Sequence, residues 1–242
     1  MPISGAYRVS LEHCLPIAPI GPESTVPAFD PCPICEKRRR ERFCPAKGEK
    51  ICAICCGRER EVTLDCPPDC TYLITAHRRE EEHRPPLSAT DAPFPDVTIT
   101  ADLIENQRPL MSSLVGALLG ASDENRDLVD QDVLATLAAL AETYRTLGAG
   151  LYYEKPPVAP LAQALYGTLL RFFEEWKRPE RRAGAPASKE TDIFKLLVFL
   201  ARVGRSRSNG RPKTRGYLQF LRAQFPRAVA AAPKETSRII MP

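Results

Sequence analysis

Eight of the chain's nine cysteines lie between Cys32 and Cys70, as Cys32, Cys35, Cys44, Cys52, Cys55, Cys56, Cys66 and Cys70. Two C-x2-C pairs, "CPIC" and "CAIC", sit in surroundings of Pro, Gly, Lys and Arg, not among the Leu and Val that surround a core thiol. A tight turn between paired thiolates lets both sulfurs reach one ion at about 2.3 Å, which is how tetrahedral Zn2+ is held. The odd cysteine total and the absence of a secretory leader pattern argue against a disulfide framework and for a reducing, intracellular compartment.

Eight thiols suffice for two four-thiolate sites, so two Zn2+ per chain are expected. Neighbouring side chains diverge, and the adjacent Cys55 and Cys56 are therefore expected to serve different ions. The preferred partition is Cys32, Cys35, Cys52 and Cys55 for one ion and Cys44, Cys56, Cys66 and Cys70 for the other. In "DCPPDCTYLITAHRREEEH" the two prolines fit a helix's first turn, which would put Cys66 and Cys70 on one face at i, i+4. With eight thiols present, His77 and His83 read as surface or supporting residues. All-thiolate sites are closed and saturated, so the zinc is expected to be structural. Few apolar residues separate the cysteines, and metal should supply on the order of 10 kcal/mol per site of folding free energy.

The elements that hold this cluster follow from periodicity. Residues 1–29 read as a Pro-rich disordered arm, 30–84 as the zinc-binding module, 85–96 as a linker, 97–226 as an α-helical domain and 227–242 as a flexible tail. Beyond the linker, Leu, Ala and Val recur at helical spacing in "PLMSSLVGALLG", "DLVDQDVLATLAALAETYRTL", "PLAQALYGTLLRFFEEWKR", "ETDIFKLLVFLARV" and "TRGYLQFLRAQF". Strand patterns are nearly absent apart from a short candidate at "DVTIT". The fold class is therefore mainly α: a small cysteine-rich zinc module followed by an antiparallel α-helical bundle. No apolar run is long enough for a membrane span, so no membrane partner is expected.

The run "CPIC", "RFCP", "ICAICC" resembles the cross-braced two-zinc fingers of the HIT and MYND type, and "CPPDC" leading into a helix is similar to a treble-clef ending. Over about 55 residues that resemblance implies a protein-interaction module, hence an adaptor or regulatory factor with a protein partner. Nucleophile-elbow, P-loop, zinc-protease and dinucleotide-binding patterns are all missing from the sequence, which favours a non-enzymatic role.

The alternative is a nucleic-acid-binding protein. From Leu200 onward ten Lys or Arg face a single acid, and Arg205, Arg207, Arg211, Lys213 and Arg215 are the candidate phosphate ligands. The finger itself is a poor phosphate ligand. Residues 30–84 carry twelve bases and eleven acids, and with eight thiolates and two Zn2+ the total is about −3.

Overall fold

The computed structural model describes residues 30–178 and 188–226. The expected arm, with His13 and Cys14, and the expected tail lie outside the described residues. Within them the chain is mainly helical. A hairpin of β1 (Arg42–Cys44) and β2 (Glu49–Ile51) leads into α1 (Ala53–Glu59) and α2 (Thr71–Glu82). Six more helices follow: α3 (Ala101–Asn106), α4 (Arg108–Glu124), α5 (Asp130–Gly148), α6 (Pro160–Trp176), α7 (Glu190–Arg207) and α8 (Gly216–Gln224).

The strands pair antiparallel with Arg42 opposite Ile51 and Cys44 opposite Glu49. Their turn closes on the Cys44 carbonyl, which accepts from the N–H groups of Lys47 and Gly48, and Gly48 has φ +72°. Only glycine adopts that conformation without cost. Cys44 is thereby fixed at the end of β1.

The apolar stripes of the five longer segments become one core. Leu114 and Leu118 of α4 meet Leu137 and Leu140 of α5, Leu169 and Phe173 of α6, Leu196 and Leu197 of α7, and Tyr217 and Leu221 of α8. Helix α5 packs on α6 and α7, while α4 packs on α6 and α8. Proline opens α4 at Pro109 and α6 at Pro160, where a missing N–H is harmless. At Gly204 a Cβ would lie 2.6 Å from Leu134 and 2.7 Å from the Tyr217 ring, so glycine permits the close approach of α7 to α5 and α8.

Two sequence expectations change here. "DVTIT" forms no strand: Asp96 lies in a turn, and Thr100 caps α3 by accepting the Leu103 N–H at 3.3 Å. Cys66 and Cys70 do not share a helix face. Helix α2 starts only at Thr71 with Cys70 as its N-cap, and Cys66 precedes a turn closed by the Cys70 N–H on the Pro67 carbonyl. The reason is steric: each of Pro67 and Pro68 disfavours the helical region for the residue before it, so Cys66 and Pro67 cannot enter the helix.

The segment read as a linker is anchored. Arg202 of α7 donates to the carbonyls of Pro93 (3.0 Å), Phe94 and Val97 (2.9 Å). Phe94 stacks edge-on against Phe194 with ring centroids 5.6 Å apart.

Helix α8 has no side-chain cap of its own. The fully buried carboxylate of Asp130 supplies it, accepting from Tyr217 N–H at 2.9 Å and Leu218 N–H at 3.2 Å. Burial outweighs these bonds and pushes the carboxyl from its ordinary 3.8 up to about 6. The native chain then binds more protons than the unfolded chain between those values, so this group lowers stability as pH rises through the window. Asp130→Asn removes that dependence. The parent-minus-variant unfolding free energy should fall by about 2 kcal/mol from pH 4 to pH 7. Denaturant unfolding across that range measures it, since thiolate protonation common to both chains cancels; a constant difference would refute the buried charge.

Candidate metal centre

Cys32 and Cys35 lie on a loop closed by a bridge between Pro31 and Arg39. Glu36 takes φ +54° directly after Cys35 and donates its N–H to the Cys32 carbonyl at 2.7 Å, folding the knuckle back on itself. The second pair straddles the start of a helix. Cys52 is the N-cap of α1, and its sulfur accepts the Cys55 N–H at 3.3 Å. Cys52 in turn donates its own N–H to the Cys32 sulfur at 3.3 Å, tying the two knuckles together.

The sulfurs of Cys32, Cys35, Cys52 and Cys55 all lie within 4.8 Å of one another, and Cys35 to Cys52 is 3.9 Å. A tetrahedral ion with bonds of about 2.3 Å separates its ligands by about 3.8 Å. The donor set therefore fits a thiophilic cation. Among the described residues no other such group of three or more ligand atoms is this close. Three of the four cysteines are buried and Cys35 is partly exposed.

The electrostatics of the cluster show what a cation would relieve. Backbone N–H groups, Lys37 first, hold the Cys35 thiol down to about 6 despite desolvation, with Arg38 assisting. Burial opposes ionisation of Cys32, but N–H donation from Cys52, Ile34 and Cys35 overcomes it and lowers that thiol. Cys55 is pushed up to about 12, by burial first and then by the sulfurs of Cys52, Cys35 and Cys32. Some thiolates form readily and another is suppressed by them, and only a cation in their midst allows all four to ionise.

The other four cysteines are close neighbours without the same convergence. Cys44, Cys56 and Cys70 are buried and Cys66 partly so. Burial raises the Cys66 thiol, the Glu61 N–H opposes this, and the charges of Cys70, Cys44 and Glu61 raise it further. Cys56 follows Cys55 in α1 and is buried there.

Sequence reasoning missed a buried residue beside Cys66. Glu61 is 2% exposed, has φ +54°, and its carboxylate meets His77 Nε2 at 3.0 Å through both oxygens and Asn209 Nδ2 at 2.9 Å. Desolvation disfavours its charge, but His77, Asn209 and Thr214 together lower its carboxyl. Burial lowers His77 and Glu61 raises it, and the pairing prevails. Single-residue patterns cannot reveal such a hub, because its partners lie far away in sequence.

The basic stretch supplies those partners. Arg211 donates to the carbonyls of Gly57 (3.1 Å) and Arg60 (2.5 Å), at the end of α1. Lys213 gives its N–H to the Glu61 carbonyl and its Nζ to the Thr63 carbonyl, both at 2.8 Å. Arg215 reaches Asp65 at 2.6 Å, and Arg207 pairs with Glu81 while lying over the Phe220 ring at 4.4 Å. Of the five candidate phosphate ligands, Arg205 is the exposed one. His83 Nδ1 bonds the Arg79 carbonyl at 2.9 Å.

No helix among the described residues is long and apolar enough to cross a membrane. Comparison with known proteins finds no matching family model, no matching curated protein and no matching solved structure.

Removing the Glu61 side chain leaves His77 and Asn209 without their shared acceptor. Glu61→Ala is expected to destabilise the protein by about 3 kcal/mol, the scale for breaking a buried pair. Denaturant unfolding measures it, and a loss within 0.5 kcal/mol (about the surface-substitution range) would show that the hub is dispensable.

Proposed function

We propose that this chain is a non-enzymatic, intracellular zinc-binding protein. In this reading a module of residues 30–84 with structural zinc sites is joined to an antiparallel helical bundle that docks a protein partner, as in an adaptor or regulatory factor. The observation that carries it is the convergence of Cys32, Cys35, Cys52 and Cys55 within 4.8 Å. Four thiolates saturate a tetrahedral ion and leave no open position for substrate, which suits a structural site.

A second zinc is held by Cys44, Cys56, Cys66 and Cys70. Support comes from the burial of three of them and from the mutual influence of Cys66, Cys70 and Cys44. The resemblance of "CPIC" through "ICAICC" to the HIT and MYND fingers favours a protein partner. So does the fate of the basic stretch: Arg211, Lys213 and Arg215 already meet backbone carbonyls of this chain, which withdraws them from a phosphate backbone.

Metal content of the purified protein tests the reading. Mass spectrometry under native conditions should give two zincs per chain. Cys32→Ser and Cys70→Ser should each lose zinc and unfold the cysteine-rich segment, whereas His77→Ala should keep the full stoichiometry. One zinc retained by Cys70→Ser and parent alike would remove the second centre. A parent chain with eight free thiols and no metal would overturn the proposal.

A further inference from the structure

We infer that residues 209–215 of the helical part form the outer wall of the metal centre, so that docking of this segment and retention of the metal are one coupled equilibrium. The inference rests on the reading of the cysteines as ligands and concerns how that same site is regulated.

Helix α1 is seven residues long, far too short to persist by itself, yet it is capped by one ligand, Cys52, and contains Cys55 and Cys56. Its N-terminal end is held by the sulfur of its own cap. Its C-terminal end, where unpaired carbonyls concentrate negative potential, is held by the guanidinium of Arg211 on the Gly57 and Arg60 carbonyls. The helix that presents three cysteines is thus gripped by sulfur at one end and by the helical part at the other.

The turn after α1 is the second link. Glu61 occupies the left-handed region, uncommon for a residue with a side chain, so something must hold it there. Lys213 N–H on the Glu61 carbonyl, Lys213 Nζ on the Thr63 carbonyl and Asn209 on the Glu61 carboxylate do so. The Glu61 N–H faces Cys66 closely enough to oppose the effect of burial on its thiol, and Arg215 pairs with Asp65, the residue immediately before Cys66. Both cysteine sets therefore depend on contacts made by 209–215. Groups that orient ligands in this way set metal affinity over about 10- to 100-fold. Coupling is reciprocal: if the segment strengthens metal binding, metal must strengthen docking of the segment by the same factor.

Full-length zinc-loaded protein is challenged with the chromogenic chelator 4-(2-pyridylazo)resorcinol. Asn209→Ala and Arg211→Ala should release zinc about 10- to 100-fold faster than the parent, with unchanged stoichiometry before the challenge and unchanged helicity. Arg205→Gln, in the same stretch but exposed, should release at the parent rate. Amide exchange gives the reciprocal readout without a mutation. Stripping zinc from the parent should expose the Lys213 amide while the Tyr217 amide, bonded to Asp130, stays protected. Parent-like release from both variants, or a Lys213 amide still protected after chelation, would overturn the coupling. A parent that carries no metal is detected before any variant is made, and defeats the metal reading itself.

Discussion

Four sulfurs within 4.8 Å impose the constraint on which the first half of this molecule depends. As thiols they would fill a small cavity with weak contacts, and as thiolates without a cation they would repel. The rest of the cysteine-rich segment offers little to hold them otherwise. Its buried cluster has seven members, and five of them, Cys32, Cys44, Cys52, Cys55 and Cys56, are the cysteines themselves, with only Ile51 and Leu64 besides. A core made mostly of the cysteines themselves cannot supply the free energy that keeps them together. The backbone is arranged for the ionised state instead, with N–H groups of Cys52, Cys55, Lys37 and Arg38 turned toward sulfur.

The helical part solves a different problem by ordinary means. Its core spans five helices, and its buried polar groups are paired across elements: Thr136 donates to the Ala162 carbonyl at 2.9 Å, and Thr143 meets the Tyr166 hydroxyl at 2.8 Å. The two regions meet where each has something unsatisfied. Helix α1 ends in free carbonyls, and the stretch after α7 carries an excess of cations. Joining them removes both surpluses, and Glu61 is the one buried carboxylate through which His77 and Asn209 meet.

Much of this was legible in the sequence, for reasons that can be named. C-x2-C spacing encodes a turn, so the pairs Cys32 with Cys35 and Cys52 with Cys55 follow from local geometry, and their convergence agrees with the preferred partition. Helical periodicity marked α4 to α8 because each buries one stripe. Proline at Pro109 and Pro160 marked two starts. The failures share a cause as well. Cys66 and Cys70 were read as helical neighbours because proline suits a first turn, yet two prolines in succession restrict the residues before them, and that second effect is the stronger here. The direction faced by Arg211, Lys213 and Arg215 had no local signature, since their acceptors at Gly57, Thr63 and Asp65 are about 150 positions away.

A run of arginines after a helix is commonly assigned by charge alone, and charge alone suggested an anionic partner. Geometry separates two kinds of cation within this run. Arg211 and Lys213 aim at backbone carbonyls, which are fixed dipoles that cannot move to meet another ligand, and Arg211 spans two of them. Releasing Arg211 into solvent would strand two part-buried carbonyls, and an unmade bond there costs more than the bond itself contributes. Arg215 likewise reaches the carbonyls of Leu128 (3.3 Å) and Arg126 (2.5 Å) besides Asp65, whereas Arg207 pairs with Glu81, which is more than half exposed, and such a surface pair contributes little and weakens with salt. An external anion would thus compete with ease for the second kind and poorly for the first. The basic character read from composition therefore divides into a structural part that closes α1 and a peripheral part that steers charge at the seam between the two regions.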